Sequence, residues 1–117
     1  MADANSKPIF DEREVAVLMT LQHERVVEFM GAGTITDTRL DEEVLFMCQE
    51  FATGGSIDRA LWGTQLDSLT WALRVQWACD IAEGMEFIHG KGFAHRDLKS
   101  QNVLYNLSDM RAKVTDF

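Results

Sequence analysis

Apolar and polar residues follow two different periods along this chain, and each period predicts its own kind of element. In the second half, apolar residues recur every three or four positions: Leu73, Trp77, Ile81, Met85 and Ile88. This spacing predicts an amphipathic helix over residues 70–89, with Asp80, Glu83 and Glu86 off its apolar face. Gly90 follows the pattern directly and is the expected helix stop.

The first half of the chain predicts a β-hairpin. Residues 26–33 and the nearly all-apolar residues 44–48 are typical of strands, and the polar residues 37–42 are typical of the turn between them. Gly31 and Gly33 do not open a phosphate-binding loop, because the third glycine of G-x-G-x-x-G is missing. We interpret both as glycines at the end of the first strand.

A second helix is predicted ahead of this hairpin. Residues 1–8 form a polar lead-in, with Pro8 near the helix start. Apolar residues then follow at helical spacing: Phe10, Val17, Leu18 and Leu21. Glu14 falls within this apolar stripe, where a charged residue is rarely buried without a partner. It therefore lies at the edge of the stripe or pairs with a cation.

The segment between the hairpin and the long helix predicts mostly irregular structure. Residues 49–56 leave the second strand and contain T-G-G-S, which is typical of a flexible connector. Residues 57–62 predict a short helical turn, and residues 63–67 predict a loop.

The charge of the chain excludes some classes of partner. The 117 residues include 19 Asp and Glu against 11 Lys and Arg, for a formal net charge of −8. An acidic surface repels phosphate backbones and anionic lipids, so we expect no nucleic-acid partner and no membrane-surface role. A nucleotide bound with Mg²⁺ stays compatible, because the ion brings positive charge and binds carboxylates.

The cysteines and the N-terminus bear on the compartment. Cys48 and Cys79 lie in apolar stretches without Cys-x-x-Cys or Cys/His metal spacing, which predicts two reduced, buried cysteines in a cytoplasmic protein. Residues 1–8 lack the basic region and apolar core of a signal peptide. No stretch of the sequence is long and apolar enough to span a bilayer.

Residues 95–102 carry the clearest chemical signal. They read H-R-D-L-K-S-Q-N, which resembles the catalytic loop H-R-D-L-x-x-x-N of protein kinases. Phosphoryl transfer in that family relies on positioning and on charge neutralisation. The resemblance implies that Asp97 is the catalytic base, that Asn102 binds a metal ion, and that Lys99 offsets charge on the transferred phosphate.

The end of the sequence carries a second motif. Asp116 and Phe117 follow the alternating residues 112–115, and the pair resembles the start of the kinase D-F-G metal-binding motif. The resemblance implies that Asn102 and Asp116 hold Mg²⁺ against the phosphates of ATP. In this family, a lysine at the position of Lys99 marks serine/threonine-directed enzymes.

The resemblance covers nearly the whole chain and implies an α+β, protein-kinase-like fold. Residues 9–117 would form a partial kinase domain. Residues 9–48 would be part of the N-lobe, with helix C and strands four and five. Residues 49–56 would be the hinge, and residues 57–117 the start of the helical C-lobe. Glu14 would then pair with the ATP-contacting lysine of the third strand.

The same resemblance assigns nucleotide contacts. Glu50 and Ala52 would offer backbone groups to the adenine edge, Ser56 would lie at the nucleotide, and Leu104 would pack beneath the adenine. These assignments depend on register, because main-chain contacts tolerate many side chains.

The implied function is that of a serine/threonine protein kinase, which transfers the γ-phosphate of ATP to a Ser or Thr hydroxyl of a protein substrate. Residues 73–104 resemble the tyrosine-kinase-like group of these enzymes. The glycine-rich loop, the strand-three lysine and the activation segment are not among the 117 residues, so we expect this chain alone to be inactive. The alternative is a non-catalytic, pseudokinase-like binding or regulatory module. Such a module has no chemical need for Glu14, Asp97, Asn102 and Asp116 together.

Overall fold

A computed structural model describes residues 12–63 and 69–116, with only the backbone of Glu12. The predicted lead-in at residues 1–8, Phe10, Phe117 and most of the predicted 63–67 loop lie outside the described residues. The elements in chain order are α1 Glu12–Thr20, β1 Phe29–Asp37, β2 Glu42–Gln49, β3 Gly55–Ser56, α2 Ile57–Trp62, α3 Trp71–Gly90, a 3₁₀ turn Ser100–Asn102, β4 Val103–Tyr105 and β5 Ala112–Val114. Helices and small antiparallel sheets are mixed, so the α+β prediction is confirmed.

The described chain divides into two compact units. The N-terminal unit consists of residues 12–21 and 28–50, and the C-terminal unit consists of residues 22–27 and 51–116. The boundary after residue 50 falls inside the segment that the family resemblance assigns to the hinge.

The N-terminal unit holds α1 and the hairpin of β1 and β2. The two strands pair antiparallel, with Ile35 opposite Val44 and the turn at residues 38–41. The interpretation of Gly31 and Gly33 as strand-end residues was wrong, since both lie inside β1. The register shifts between Phe29 and Gly31. A Cβ on Gly33 would come within 2.7 Å of Phe46 Cζ, so a bulge and a close approach explain the glycines.

The start of the first strand also differs from the prediction. Val26 and Val27 belong to the C-terminal unit, where the Val27 N–H donates to Val114 O at 2.9 Å. A parallel bridge joins Val26 to Val114. Strand β1 begins only at Phe29. An apolar pair such as Val26–Val27 suits a strand of either sheet, and a distant partner decided which one it joined.

The C-terminal unit is built around α3. The strands form a sheet in the order β3-β4-β5, and α3 packs on β5. One buried apolar cluster contains Ile57, Leu69, Trp77, Val103 and Ala112, and a second contains Val26, Ile88 and Val114. Trp77 is 2% exposed and its indole N–H donates to Met110 O at 2.8 Å. The buried ring therefore keeps a partner for its polar atom.

Local signals set both ends of α3. Thr70 is the N-cap, and its Oγ1 accepts from the Leu73 N–H at 3.1 Å. At the other end the Gly92 N–H donates to His89 O at 3.0 Å and the Phe93 N–H donates to Ile88 O at 3.1 Å. Gly92 has φ of 86°. This is a Schellman end, and the left-handed glycine is Gly92, whereas the sequence predicted Gly90 as the stop.

Two further expectations about burial were wrong. Asp80 was predicted off the apolar face of α3, yet it is fully buried at 0% exposure. The two cysteines were predicted to be buried, yet Cys48 and Cys79 are both free and exposed. Within residues 12–63 and 69–116, no helix is both long and apolar enough to cross a membrane.

Candidate active site

The segment predicted as a catalytic loop connects α3 to β4 and is held at its start by His95. The imidazole is buried, its Nε2 lies 2.6 Å from Thr115 O, and its Nδ1 accepts from the Asp97 N–H at 3.2 Å. Because Nδ1 accepts a hydrogen bond, Nε2 carries the ring hydrogen and donates a hydrogen bond to the Thr115 carbonyl oxygen. His95 therefore links the loop to the residue before Asp116 and has no ring nitrogen left for proton transfer.

Asn102 fixes the geometry around Asp97. Its Nδ2 donates to Asp97 O at 2.8 Å and to Asp97 Oδ2 at 3.3 Å, and its backbone N–H donates to Lys99 O at 2.9 Å. These contacts settle which end of the amide faces Asp97. Oδ1 is then the remaining acceptor of the Asn102 side chain, as a metal ligand requires.

Lys99 completes a compact group of charged and polar atoms. Its Nζ lies 3.4 Å from Asp97 Oδ2, with side-chain exposures of 52% for Lys99 and 63% for Asp97. An exposed carboxylate can accept a proton from an incoming hydroxyl. An ammonium beside it can neutralise charge on a transferred phosphate.

Asp116 lies two residues beyond the end of the neighbouring strand β5. Val103 pairs with Val114 in the β4–β5 ladder, and one step further the Thr115 N–H donates to Asn102 O at 3.0 Å. Asp116 is exposed and has φ of 58°, a left-handed conformation that non-glycine residues seldom adopt. Asp41 in the hairpin turn has the same left-handed conformation, so the case for Asp116 rests on its place beside Asn102 and not on this φ.

The donor atoms of this region suit magnesium carrying a nucleotide. Asn102 offers an amide oxygen and Asp116 offers carboxylate oxygens. Residues 12–63 and 69–116 contain no group of three or more His, Cys, Asp or Glu side chains that could hold a metal ion by themselves. Mg²⁺ is typically held by one or two protein oxygens together with phosphates and water, so a pair of protein ligands fits it.

Three residues predicted to contact the nucleotide lie in the same C-terminal unit. Ser56 pairs with Leu104 across the β3–β4 ladder, which places the two residues side by side. Ala52 is buried, and its carbonyl accepts from the Gly55 N–H at 3.1 Å. The sheet that carries Leu104 therefore also holds Ser56, and Asn102 immediately precedes its strand β4.

The other two predicted site residues belong to the N-terminal unit. Glu14 lies on α1 and is exposed. Glu50 follows β2, its Oε1 accepts from the Glu28 N–H at 2.7 Å, and its own N–H donates to Glu28 O at 2.9 Å. The structure thus groups Asp97, Lys99 and Asn102 with the position of Asp116, while Glu14 and Glu50 are held in the other unit.

Sequence reasoning missed an ionic cluster in the same C-terminal unit, centred on the buried carboxylate of Asp80. Arg111 Nε donates to both carboxylate oxygens of Asp80 at 3.1 Å, and its Nη2 donates to Oδ1 at 2.8 Å. The Ala112 N–H and Gln76 Nε2 each donate to the same carboxylate at 2.9 Å. Arg25 Nη1 lies 3.6 Å from Asp80 Oδ2 and donates to Ala112 O at 3.1 Å.

These contacts keep the Asp80 carboxylate ionised. Burial by itself raises the pKa of Asp80, but the hydrogen bonds from Arg111, Ala112 and Gln76 outweigh it, and the pKa lies below its ordinary value of 3.8. The hydrogen bond to Asp80 likewise raises the pKa of Arg111. The sequence signal was an aspartate one position away from the apolar stripe of α3, but no local pattern identified the two arginines as its partners.

Comparison with known proteins places this geometry in a family context. A family model described as protein tyrosine and serine/threonine kinase matches residues 2–117. A probable serine/threonine-protein kinase of Dictyostelium discoideum is 36% identical over 112 residues, which cover 93% of this chain and 25% of that protein.

Two further relatives extend the comparison. A receptor protein kinase of Oryza sativa subsp. japonica is 36% identical over 110 residues, covering 89% of this chain and 11% of that protein. The dual specificity testis-specific protein kinase 1 of Mus musculus is 34% identical over 107 residues, which cover 90% of this chain and 16% of that protein. The chain spans a quarter or less of the length of these curated relatives.

Proposed function

Because the chain belongs to the protein tyrosine and serine/threonine kinase family, we propose that it supplies the catalytic loop and metal-binding residues of a serine/threonine protein kinase. The observation that carries the proposal is the arrangement around Asp97. The Asn102 side-chain amide donates to the Asp97 backbone oxygen at 2.8 Å and to the Asp97 carboxylate at 3.3 Å. Lys99 Nζ lies 3.4 Å from the same carboxylate. The substrates would be ATP and the Ser or Thr hydroxyl of a protein.

Each residue has a defined part in the transfer. The substrate hydroxyl oxygen attacks the γ-phosphorus, the bond from that phosphorus to the bridging oxygen breaks, and ADP leaves. The Asp97 carboxylate accepts the hydroxyl proton, and Lys99 offsets charge on the transferred group. Asn102 Oδ1 and the Asp116 carboxylate would hold Mg²⁺, which when bound neutralises charge on the phosphates.

The choice of Ser and Thr over Tyr as acceptors depends on Lys99. In the family, a lysine at this position marks serine/threonine-directed enzymes, and one relative above is a probable serine/threonine kinase. The dual specificity relative keeps Tyr as an acceptor that analysis of the product has to test. Glu14 would pair with a lysine of the nucleotide site. Glu50, Ala52, Ser56 and Leu104 would line that site in the complete domain.

The test is phosphotransfer by the complete natural polypeptide that carries these residues. Asp97→Asn should lower kcat by about 10²–10⁴-fold, the usual contribution of a positioned general base, with little change in KM for ATP. Asp41→Asn is the matched control. It makes the same change in the exposed hairpin turn, where φ of 50° suits asparagine, and it should leave kcat unchanged.

Two results would contradict the proposal. Undiminished activity of Asp97→Asn would remove Asp97 as the base. A wild-type protein that binds Mg·ATP or a protein partner but transfers no phosphate would favour the non-catalytic module instead. Phosphoamino-acid analysis of the product then separates Ser and Thr acceptors from Tyr.

A further inference from the structure

A hydrogen bond joins the predicted catalytic loop to helix α2. Ser100 Oγ donates to Asp58 Oδ1 at 3.0 Å, and both residues are half-buried. A second acceptor, Gln101 Oε1, lies 3.5 Å from the same oxygen. The hydroxyl has one proton to donate, and a bond to a charged carboxylate is the shorter and stronger of the two.

Local helix structure does not account for this contact. Asp58 lies in the first turn of α2, where acidic residues are common, but α2 has only six residues and its N-cap is Ser56. Asp58 and Ser100 are 42 residues apart in the sequence. Their hydrogen bond therefore connects two elements that are adjacent only in the folded chain.

His95 holds the start of the loop, and the Ser100–Asp58 contact lies at the opposite end. His95 ties the start of the loop to Thr115 O, whereas Ser100 directly follows Lys99 at the other end. The Lys99–Asp97 ion pair is about half exposed on both sides. Exposed ion pairs contribute little by themselves, so the position of the Lys99 ammonium depends on how the backbone on either side is held.

We propose that Ser100 and Asp58 are positioning residues, which hold the Lys99 end of the loop against α2 so that Lys99 and Asp97 keep their catalytic arrangement. The proposal rests on the kinase function proposed above. Ser100 contacts neither nucleotide nor substrate in this scheme and acts through its neighbour Lys99.

The experiment measures kcat, KM for ATP and the unfolding midpoint of the complete natural polypeptide and its variants. Ser100→Ala should lower kcat about 10-fold and change KM for ATP less than twofold, because small displacements of catalytic groups slow the transfer step. Ser100→Thr retains the hydroxyl and should restore most of kcat. Ser108→Ala makes the same change in the exposed turn before β5 and should alter neither constant.

A double-mutant comparison tests whether the two residues act as a pair. Asp58→Ala should lower kcat as Ser100→Ala does, and the double variant should be no slower than either single variant. Asp58→Asn keeps an acceptor oxygen and should retain more activity than Asp58→Ala. If Asp58→Ala does not fold, the Ser100 series alone decides.

Each outcome has a distinct meaning. If the wild-type polypeptide is active and Ser100→Ala matches Ser108→Ala in kcat, the positioning role is overturned and the kinase function stands. A lower unfolding midpoint of Ser100→Ala with unchanged kcat would also overturn it, since the contact would then be structural. If the wild-type polypeptide transfers no phosphate, the kinase function falls, and the positioning role falls with it.

Discussion

The two units of this chain differ in how they bury apolar residues. In the C-terminal unit, Ile88 of α3 and Val114 of β5 are 0% exposed and belong to one buried apolar cluster. In the N-terminal unit, strand β2 carries an equally apolar run, yet Phe46 is 45% and Met47 57% exposed. Among the described residues of the N-terminal unit, only Leu21 is buried.

The difference shows what each unit requires from its surroundings. A two-stranded hairpin is marginally stable on its own, and a strand that is apolar on both faces suits a position covered on both sides. Every residue of β2 except Leu45 is exposed. The C-terminal unit closes its core with its own helix and sheet, and it carries Asp97, Lys99, Asn102 and Asp116. The predicted chemistry therefore belongs to the unit that holds the two buried apolar clusters, although Trp62 and Trp71 of the same unit stay 81% and 77% exposed.

The largest stability effect should come from the buried ionic cluster of the C-terminal unit. Asp80→Asn leaves Arg25 and Arg111 without their shared carboxylate, and breaking a buried pair in this way costs about 3–5 kcal/mol of unfolding free energy. Chemical denaturation at neutral pH measures the change. Glu86→Gln on the exposed side of α3 is the matched control, and it should stay within about 0.5 kcal/mol.

The same cluster gives the Asp80 effect a pH dependence. The pKa of Asp80 in the folded chain lies below its ordinary value of 3.8. The stabilisation is therefore complete above that value and is lost as the pH falls through the lower, folded-state pKa. The difference between wild type and Asp80→Asn should shrink in acid. A difference that stays constant down to the lowest measurable pH would show that ionisation of Asp80 is not its source.

A glycine-to-alanine substitution in each unit tests the difference between them directly. In the C-terminal unit, a Cβ on Gly84 would lie 2.6 Å from the backbone oxygen of Arg25, so the backbone must move. In the N-terminal unit, a Cβ on Gly33 would meet the end of the half-exposed Phe46 ring, which can rotate away. We expect Gly84→Ala to cost about 1–3 kcal/mol, as overpacking usually does, and Gly33→Ala clearly less. Equal costs in urea unfolding would break the comparison.

The smallest effect comes from removing one methyl group. Ile88→Val shortens a fully buried side chain and should cost about 0.5–1.5 kcal/mol. Ile35→Val in β1, where the side chain is 62% exposed, should change the unfolding free energy by less than about 0.5 kcal/mol. Thermal unfolding of both variants measures the pair. A larger loss for Ile35→Val would mean that this hairpin position is covered in solution.

Elements with local signals were predicted well. The apolar period of the long helix predicted residues 70–89, and α3 runs over Trp71–Gly90. Its N-cap Thr70 and its apolar stripe are both readable within a few residues. The hairpin turn was likewise correct. The glycines of β1 were misassigned because the bulge and the Phe46 ring above Gly33 depend on the opposite strand.

In the candidate site, too, contacts within one short segment were predictable and contacts between distant segments were not. Asp97, Lys99 and Asn102 lie within one short motif, so their mutual contacts required no distant partner. The contact of Ser100 with Asp58 spans 42 positions of sequence, and that of Arg25 with the Ala112 carbonyl spans 87. The sequence around one residue of each contact does not specify its distant partner. The site roles themselves stay predictions until the variants are measured.

The sequence alone determined the family, the order of α1, the hairpin, α2 and α3, and the residues that would carry the chemistry, because motifs and hydrophobic periods are properties of short segments. Only the tertiary structure decided that Asp80 is buried between two arginines and that Val26 joins β5 rather than β1. It also decided that the Asp58 carboxylate accepts a hydrogen bond from Ser100 in the predicted catalytic loop. Burial and ion pairing are set by which distant segments pack together, and the free energy of that packing is absent from any local pattern.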